Sequence, residues 1–187
     1  MRGVRDALFE IDDFYARELH YDDKADLQVF CECHADYFER ATGSRPGPSE
    51  AQRLLTALPK GKSFEDKLLI GIFARSGGLV GIIDVICDYP VMWEWLVTLF
   101  VIDPDYLDQG LGKRVYSALE KWAARAGSHH IQTSVFEQNE WSYRFWTHLG
   151  FEPVDRQFAE QTGIREDVRI LMRRSMPAWK RAIGIDG

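Results

Sequence analysis

The sequence predicts an α/β fold with a mixed central sheet and helices on both of its faces. Three observations carry that prediction. Two apolar runs, Leu68 to Ala74 and Leu79 to Cys87, flank a Gly77-Gly78 turn and read as a hairpin. A third run, Trp95 to Ile102, is nearly all apolar, as expected of a strand covered on both faces. Helical and strand-like segments then alternate to the end of the chain, and the hairpin makes the sheet mixed rather than purely parallel.

Taken in order, Asp26 to Arg40 reads as one helix, with Leu27, Phe30, Cys31, His34 and Phe38 at helical spacing. Ala41 to Pro48 is rich in chain breakers and reads as a loop, after which Ser49 caps a short helix ending at Leu58-Pro59. The third strand stops at Asp103-Pro104, because proline lacks the N–H that a ladder needs. A long helix follows from Gly112 to Ala126, burying Val115, Leu119, Trp122 and Ala123 and closing at Gly127. Ile131 to Phe136 is a fourth strand, Asn139 to Leu149 a second amphipathic helix closed by Gly150, and Arg165 to Met172 a last strand.

Composition excludes several classes. With 45% hydrophobic and 28% charged residues, the chain is of ordinary globular type rather than disordered. Its 187 residues suit a single domain, with no repeat or linker long enough to divide it. No apolar run approaches the ~20 residues of a membrane span, so no membrane association is expected. The first residues, Met-Arg-Gly-Val-Arg-Asp, lack an apolar signal core, which argues against secretion. Cys31, Cys33 and Cys87 cannot all pair, which suits a reducing cytoplasm. Cys31-Glu-Cys-His34 is not a metal motif: residues two apart on a helix point roughly 200° apart, and no second ligand pair follows.

The net charge of −6 is concentrated in residues 1–40, which hold five bases and eleven acids, while the remaining 147 residues carry 18 of each sign. With no basic cluster, nucleic-acid binding is not expected. An acidic first segment on a neutral body hints at a ligand of opposite sign.

The most informative segment is Phe100-Val-Ile-Asp-Pro-Asp-Tyr-Leu-Asp-Gln-Gly-Leu-Gly-Lys-Arg114, a buried strand running into a loop with Gly110 and Gly112 at a helix start. The first N–H groups of a helix lack partners and carry the positive end of its dipole, so such a loop holds phosphate groups without a metal. A P-loop would need glycine at 107 and Ser or Thr at 114, where Leu107 and Arg114 stand, and a dinucleotide fingerprint would need glycine in place of Val115.

Asp103-Pro-x-Tyr106, Gly110-Leu-Gly112-Lys113 and the long helix resemble the acetyl-CoA motif of the GNAT N-acetyltransferase superfamily. Asn139-Glu-Trp-Ser142-Tyr-Arg-Phe-Trp146-Thr-His-Leu-Gly150-Phe151, twenty-seven residues after Gly112, resembles its second motif. The resemblance implies a single GNAT domain over 1–187: acceptor-side strand and helices in 1–60, an acetyl-CoA-binding core over 67–174, and a tail at 175–187. The backbone of Phe100, Val101 and Ile102 would pair with the pantetheine amides as an added strand. The N–H groups of Gln109, Gly110, Leu111, Gly112 and Lys113 would cradle the pyrophosphate. Asn139, Ser142 and Trp146, at i, i+3 and i+7, would turn one helix face toward the cofactor.

The family pattern breaks at the chemistry. The position where the family often has an acidic Tyr holds Trp146, whose indole N–H delivers no proton at neutral pH. The usual base positions hold Leu96 and Thr98. Glu94 is the nearest carboxylate, as a base or as a solvated strand-end charge; Asp84 is a second candidate base and Tyr143 a substitute acid. The expected activity is acetyl transfer from acetyl-CoA to a primary amine, without metal, the acceptor being small and cationic if the acidic 1–40 segment faces it. The alternative is a CoA-binding sensor of the same fold. The oligomeric state is open, with a homodimer among the options.

Overall fold

The computed structural model describes residues 7–159 and 167–176. Eight strands form one sheet: β1 (Phe9–Ile11), β2 (Phe14–Glu18), β3 (Lys67–Ala74), β4 (Leu79–Ile86), β5 (Glu94–Ile102), β6 (His130–Phe136), β7 (Glu152–Ala159) and β8 (Asp167–Ser175), in the order β1-β2-β3-β4-β5-β6-β8-β7. Every neighbouring pair is antiparallel except β5 and β6. The α-helices of the described residues are α1 (Lys24–Cys33), α2 (Ala35–Thr42), α3 (Glu50–Thr56), α4 (Leu111–Arg125) and α5 (Glu140–His148).

Helices cover both faces, as expected. On one, Leu27, Phe30, Phe38, Ala51 and Leu54 of α1–α3 pack against Leu69, Ile82, Leu99 and Val101. On the other, Leu111, Val115 and Leu119 of α4 and Trp146 of α5 pack against Ile70, Ile72, Ile83, Val85 and Val97. The crossover from β5 through α4 supplies the one parallel pair.

Three elements depart from the expected pattern. The helix expected over Asp26 to Arg40 breaks at His34 (φ −111°, ψ 29°). No proline or glycine causes this. The His34 ring is tied locally, Nδ1 to the Phe30 carbonyl at 2.7 Å, and distantly, Nε2 lying 3.6 Å from Asp103. The β1–β2 hairpin is too short for its period to stand out, and β7 carries no alternating apolar face. The last strand reaches Ser175, while residues 165 and 166 of its expected start lie outside the described residues.

One irregularity positions the site. Asp84 pairs with Leu99 and Val85 with Val97, so Thr98 is the extra residue of a β-bulge. Trp95 and Val97 belong to the α4 side of the core, whereas Leu99 and Val101 belong to the α1–α3 side, so the bulge reverses the strand's facing. On its other edge β5 pairs with β6 only from Glu94↔His130 to Val97↔Thr133. The parallel strands part at the bulge.

Candidate active site

Where β5 and β6 part, a cavity of about 190 Å³ opens between Thr98, Leu99 and Phe100 on one side and Thr133 to Phe136 on the other. Asn139, Trp141, Ser142 and Trp146 of α5 close one wall, and Tyr37, Arg40 and Ala41 of α2 another. A wider cavity of about 550 Å³ lies beside it, lined among others by Arg53, Asp84, Leu96, Thr98, Leu99 and Arg169. Ala41, Thr98 and Leu99 line both, so the two spaces meet at the bulge.

Thr98 is the polar residue of an otherwise apolar run, and its hydroxyl donates to Asp84 Oδ2 at 2.8 Å. Lys67 Nζ holds Asp84 Oδ1 at 2.6 Å, and both side chains are buried. Asp84 is therefore fixed at both oxygens, facing the wider cavity. Glu94 stands elsewhere. It is 5% exposed, not a solvated strand end, and is held by Gln132 and Arg173 with His130 at 3.6 Å. It lines neither cavity. Tyr143 does not line them either, because it packs into the α4 side of the core.

Asn139, Ser142 and Trp146 share the cavity wall that their spacing predicts. Asn139 caps α5, its Oδ1 accepting from the Ser142 N–H at 3.1 Å, while its Nδ2 donates to the Arg40 carbonyl at 2.9 Å and ties α5 to α2. Trp141 meets Tyr37 edge to face at 5.8 Å across the same gap. Burial pushes the Tyr37 phenol up from its ordinary value, against the pull of Arg40. Trp146 is enclosed by the rings of Phe100, Tyr116, Phe145 and Phe151, so it shapes the wall and offers no acid.

The glycine loop has the predicted form. Asp103 accepts from the Asp105 N–H at 3.0 Å, a 3-10 turn runs from Pro104 to Gln109, and Gly110 takes φ +67° to start α4. The Gly110 N–H is bonded to the Leu107 carbonyl at 3.0 Å, and the first N–H with a helical partner in α4 is that of Arg114. The unpartnered helix start is thus Leu111, Gly112 and Lys113 rather than the whole of 109–113. Arg114 is engaged with Asp12 at 2.6 Å.

Among the described residues no acid of the first forty lines either cavity, and the charged residues that do are Arg40, Arg53, Arg169 and Asp84. Of these only Asp84 stood out in the sequence. Thr98 carried a legible signal, a lone hydroxyl in an apolar strand; the three arginines lie on separate elements and no local pattern links them. Among the described residues no cluster of His, Cys, Asp or Glu suits a metal ion, and no helix is long and apolar enough to cross a membrane.

The acetyltransferase (GNAT) family model matches residues 27–151. The chain belongs to this family. The GNAT match takes in β3 to α5 and every residue named above in the cavity walls except Arg169. The GNAT fold is also that of solved acetyltransferases at low identity. A spermidine N-acetyltransferase from Vibrio cholerae, in complex with CoA and spermine, superposes with a TM-score of 0.70 at 12% identity, over 90% of this chain and 98% of that one. The ribosomal-protein-S18-alanine N-acetyltransferase from Escherichia coli gives 0.64 at 16%, over 87% and 94%. An acetyltransferase from Thermus thermophilus gives 0.65 at 20%, over 87% and 96%. A search of the curated proteins finds no match.

Proposed function

We propose that this GNAT protein transfers an acetyl group from acetyl-CoA to a primary amine by direct attack, without a covalent enzyme intermediate. The parting of β5 from β6 at Thr98 carries the reading, because it joins a narrow cavity lined by the GNAT motifs to a wider one lined by Asp84. Acetyl-CoA would lie in the narrow space. The free β5 edge at Phe100, Val101 and Ile102 would meet the pantetheine amides, and the N–H groups of Leu111, Gly112 and Lys113 would receive the pyrophosphate. Asn139 would exchange its bond to the Arg40 carbonyl for the pantetheine arm, with Ser142 and Trp146 beside it. In this reading residues 1–60 form the acceptor wall and 67–174 the cofactor core. Three free thiols suit a reducing, cytoplasmic setting.

The amine nitrogen attacks the thioester carbonyl, the C–S bond breaks, and CoA leaves as a thiolate. With a free-thiol pKa of ~8.5, that group hardly needs an acid, which fits a tryptophan at position 146. The amine must shed a proton. Thr98 sits where the cavities meet and donates to Asp84, so the amine proton would pass to the Thr98 oxygen as the Thr98 proton passes to Asp84 Oδ2. Holding the amine beside the thioester supplies much of the remaining rate.

The test is free-thiol release from acetyl-CoA over a broad amine panel, with thermal shift as the binding measure. Acetyl-CoA should raise the melting temperature, and at least one amine should release thiol above the blank. Asp84→Asn and Thr98→Val should each lower kcat by about 10²–10⁴-fold, the usual worth of a positioned proton acceptor. Stabilisation without thiol from any amine would leave the sensor reading in its place.

A further inference from the structure

We propose that Arg40, on α2 and outside both sequence motifs, holds a phosphate group of the bound CoA, so that an acceptor-side helix takes part in cofactor binding. This rests on the acetyl-transfer reading above and adds a residue to its cofactor site. Among the described residues that line the narrow cavity, Arg40 alone is charged. The acids that precede it on α2, Asp36 and Glu39, are both paired with Arg45, at 2.8 and 3.2 Å. Among the described residues the Arg40 side chain forms no ion pair, and its hydrogen bond runs from Nε to the Asp36 carbonyl at 3.2 Å. Its two Nη groups are thus left for paired N–H bonds to phosphate oxygens.

The wall around Arg40 leads to the phosphate end of the cofactor. Tyr37, one turn before Arg40, meets Trp141 edge to face at 5.8 Å, and Trp141 stacks on Phe145 at 6.1 Å. Phe145 backs onto Gly112, where a Cβ would lie 3.3 Å from its ring. Pro104 and Leu107 line the same cavity as Arg40, and they belong to the turn that runs into the unpartnered N–H groups of Leu111, Gly112 and Lys113. Burial raises the Tyr37 phenol and the Arg40 charge opposes it, so that charge acts within this wall. The phosphate contact also keeps α2 in place. Asn139 ties α5 to the Arg40 carbonyl at 2.9 Å, a bond it would give up to pantetheine. A phosphate held by the Arg40 guanidinium would keep α2 on α5 once that bond is broken.

Calorimetric binding of acetyl-CoA, acetyl-dephospho-CoA and S-acetylpantetheine to the wild type, Arg40→Gln and Arg40→Lys tests this. Arg40→Gln should raise the Kd for acetyl-CoA by about 10–100-fold, the worth of hydrogen bonds to a charged group. It should leave S-acetylpantetheine, which has no phosphate, unchanged. Arg40→Lys should keep part of the affinity, as a point charge without the planar fork. Acetyl-dephospho-CoA identifies the phosphate. An Arg40→Gln protein that loses nothing on it assigns Arg40 to the ribose phosphate, and an undiminished loss assigns Arg40 to the pyrophosphate. Both substitutions leave the carbonyl that Asn139 uses, and retained binding of S-acetylpantetheine certifies the fold. An equal loss with S-acetylpantetheine overturns the inference, as does an unchanged affinity for acetyl-CoA. A lower melting temperature with unchanged affinities would make Arg40 only a favourable charge in the last turn of α2. In each of these cases acetyl transfer stands, whereas wild-type protein that binds none of the three ligands would remove both.

Discussion

Glu94 and Asp84 show what decides the fate of a carboxylate. By period 2, Glu94 shares a strand face with Leu96 and Thr98, and the sequence offers it as the nearest base. Its carboxylate is instead enclosed by Gln132 and Arg173, residues 38 and 79 positions away, which no local spacing brings to mind. Asp84 is also buried and paired, yet Thr98 gives it a hydrogen-bonded path to the cavities. Their variants should therefore behave differently. Glu94→Gln leaves Arg173 without its anion and should cost roughly 1–3 kcal/mol, the lower part of the range for a broken buried pair because Arg173 is about a third exposed. Asp84→Asn likewise leaves the buried Lys67 without its anion, but it should in addition lower kcat, because Thr98 links this carboxylate to the cavities. A kcat lowered in Glu94→Gln and kept in Asp84→Asn would reverse the two assignments.

At the scale of elements, the site is made by strands that fail to stay paired. β4 must lie close against β5 up to the rim of the narrow cavity, and Gly81 makes that approach possible. A Cβ there would lie 2.7 Å from Ile102 Cδ1 and 2.9 Å from the Val101 carbonyl oxygen. The side chain can turn away, but the carbonyl moves only with the backbone of β5. Gly81→Ala should cost about 1–3 kcal/mol and shrink the stabilisation given by acetyl-CoA, because it displaces the edge proposed to meet pantetheine. Gly47→Ala, where nothing lies within 4 Å, is the control, and equal effects at the two positions would refute the argument. The same strands mark how far the sequence could be read. β3, β4, β5, β6, α4 and α5 were legible because each buries a periodic or continuous apolar run. β7 was not, because its exposed residues leave no period to read, and the bulge at Thr98 was not, because it is a property of a strand pair. The break at His34 was hidden likewise, since its tie to Asp103 joins residues far apart in the chain.

For the molecule as a whole, five of the eleven acids of residues 1–40 enter ion pairs with arginine: Glu10 with Arg75, Asp12 with Arg114, Asp23 with Arg17, and Asp36 and Glu39 with Arg45. Where an acid enters such pairs is fixed by the fold, so net charge alone does not say which surface meets a ligand. Thiols and phenols fold with a large change in proton affinity. Burial, aided by Glu50, pushes the Cys31 thiol from 9.0 to about 12, and burial, aided by Asp88, does the same for Cys87. Burial also raises the phenols of Tyr37 and Tyr116. All four are acids whose neutral form the fold prefers. Below pH 9.0 both the folded and unfolded thiols are protonated and the preference has no effect. Above it the unfolded chain loses protons that the folded chain keeps, so stability falls as pH rises toward 12, first through the thiols and then through the phenols. Cys87 is partly exposed, which holds its loss below the full ~1.4 kcal/mol per pH unit. A fall in melting temperature of about 2–4 °C between roughly pH 8.5 and pH 10 follows for a chain of this size. Cys31→Ala should flatten that slope while keeping the buried position apolar. A melting temperature constant across the range, or an unchanged slope in Cys31→Ala, would show that these thiols do not set the alkaline limit.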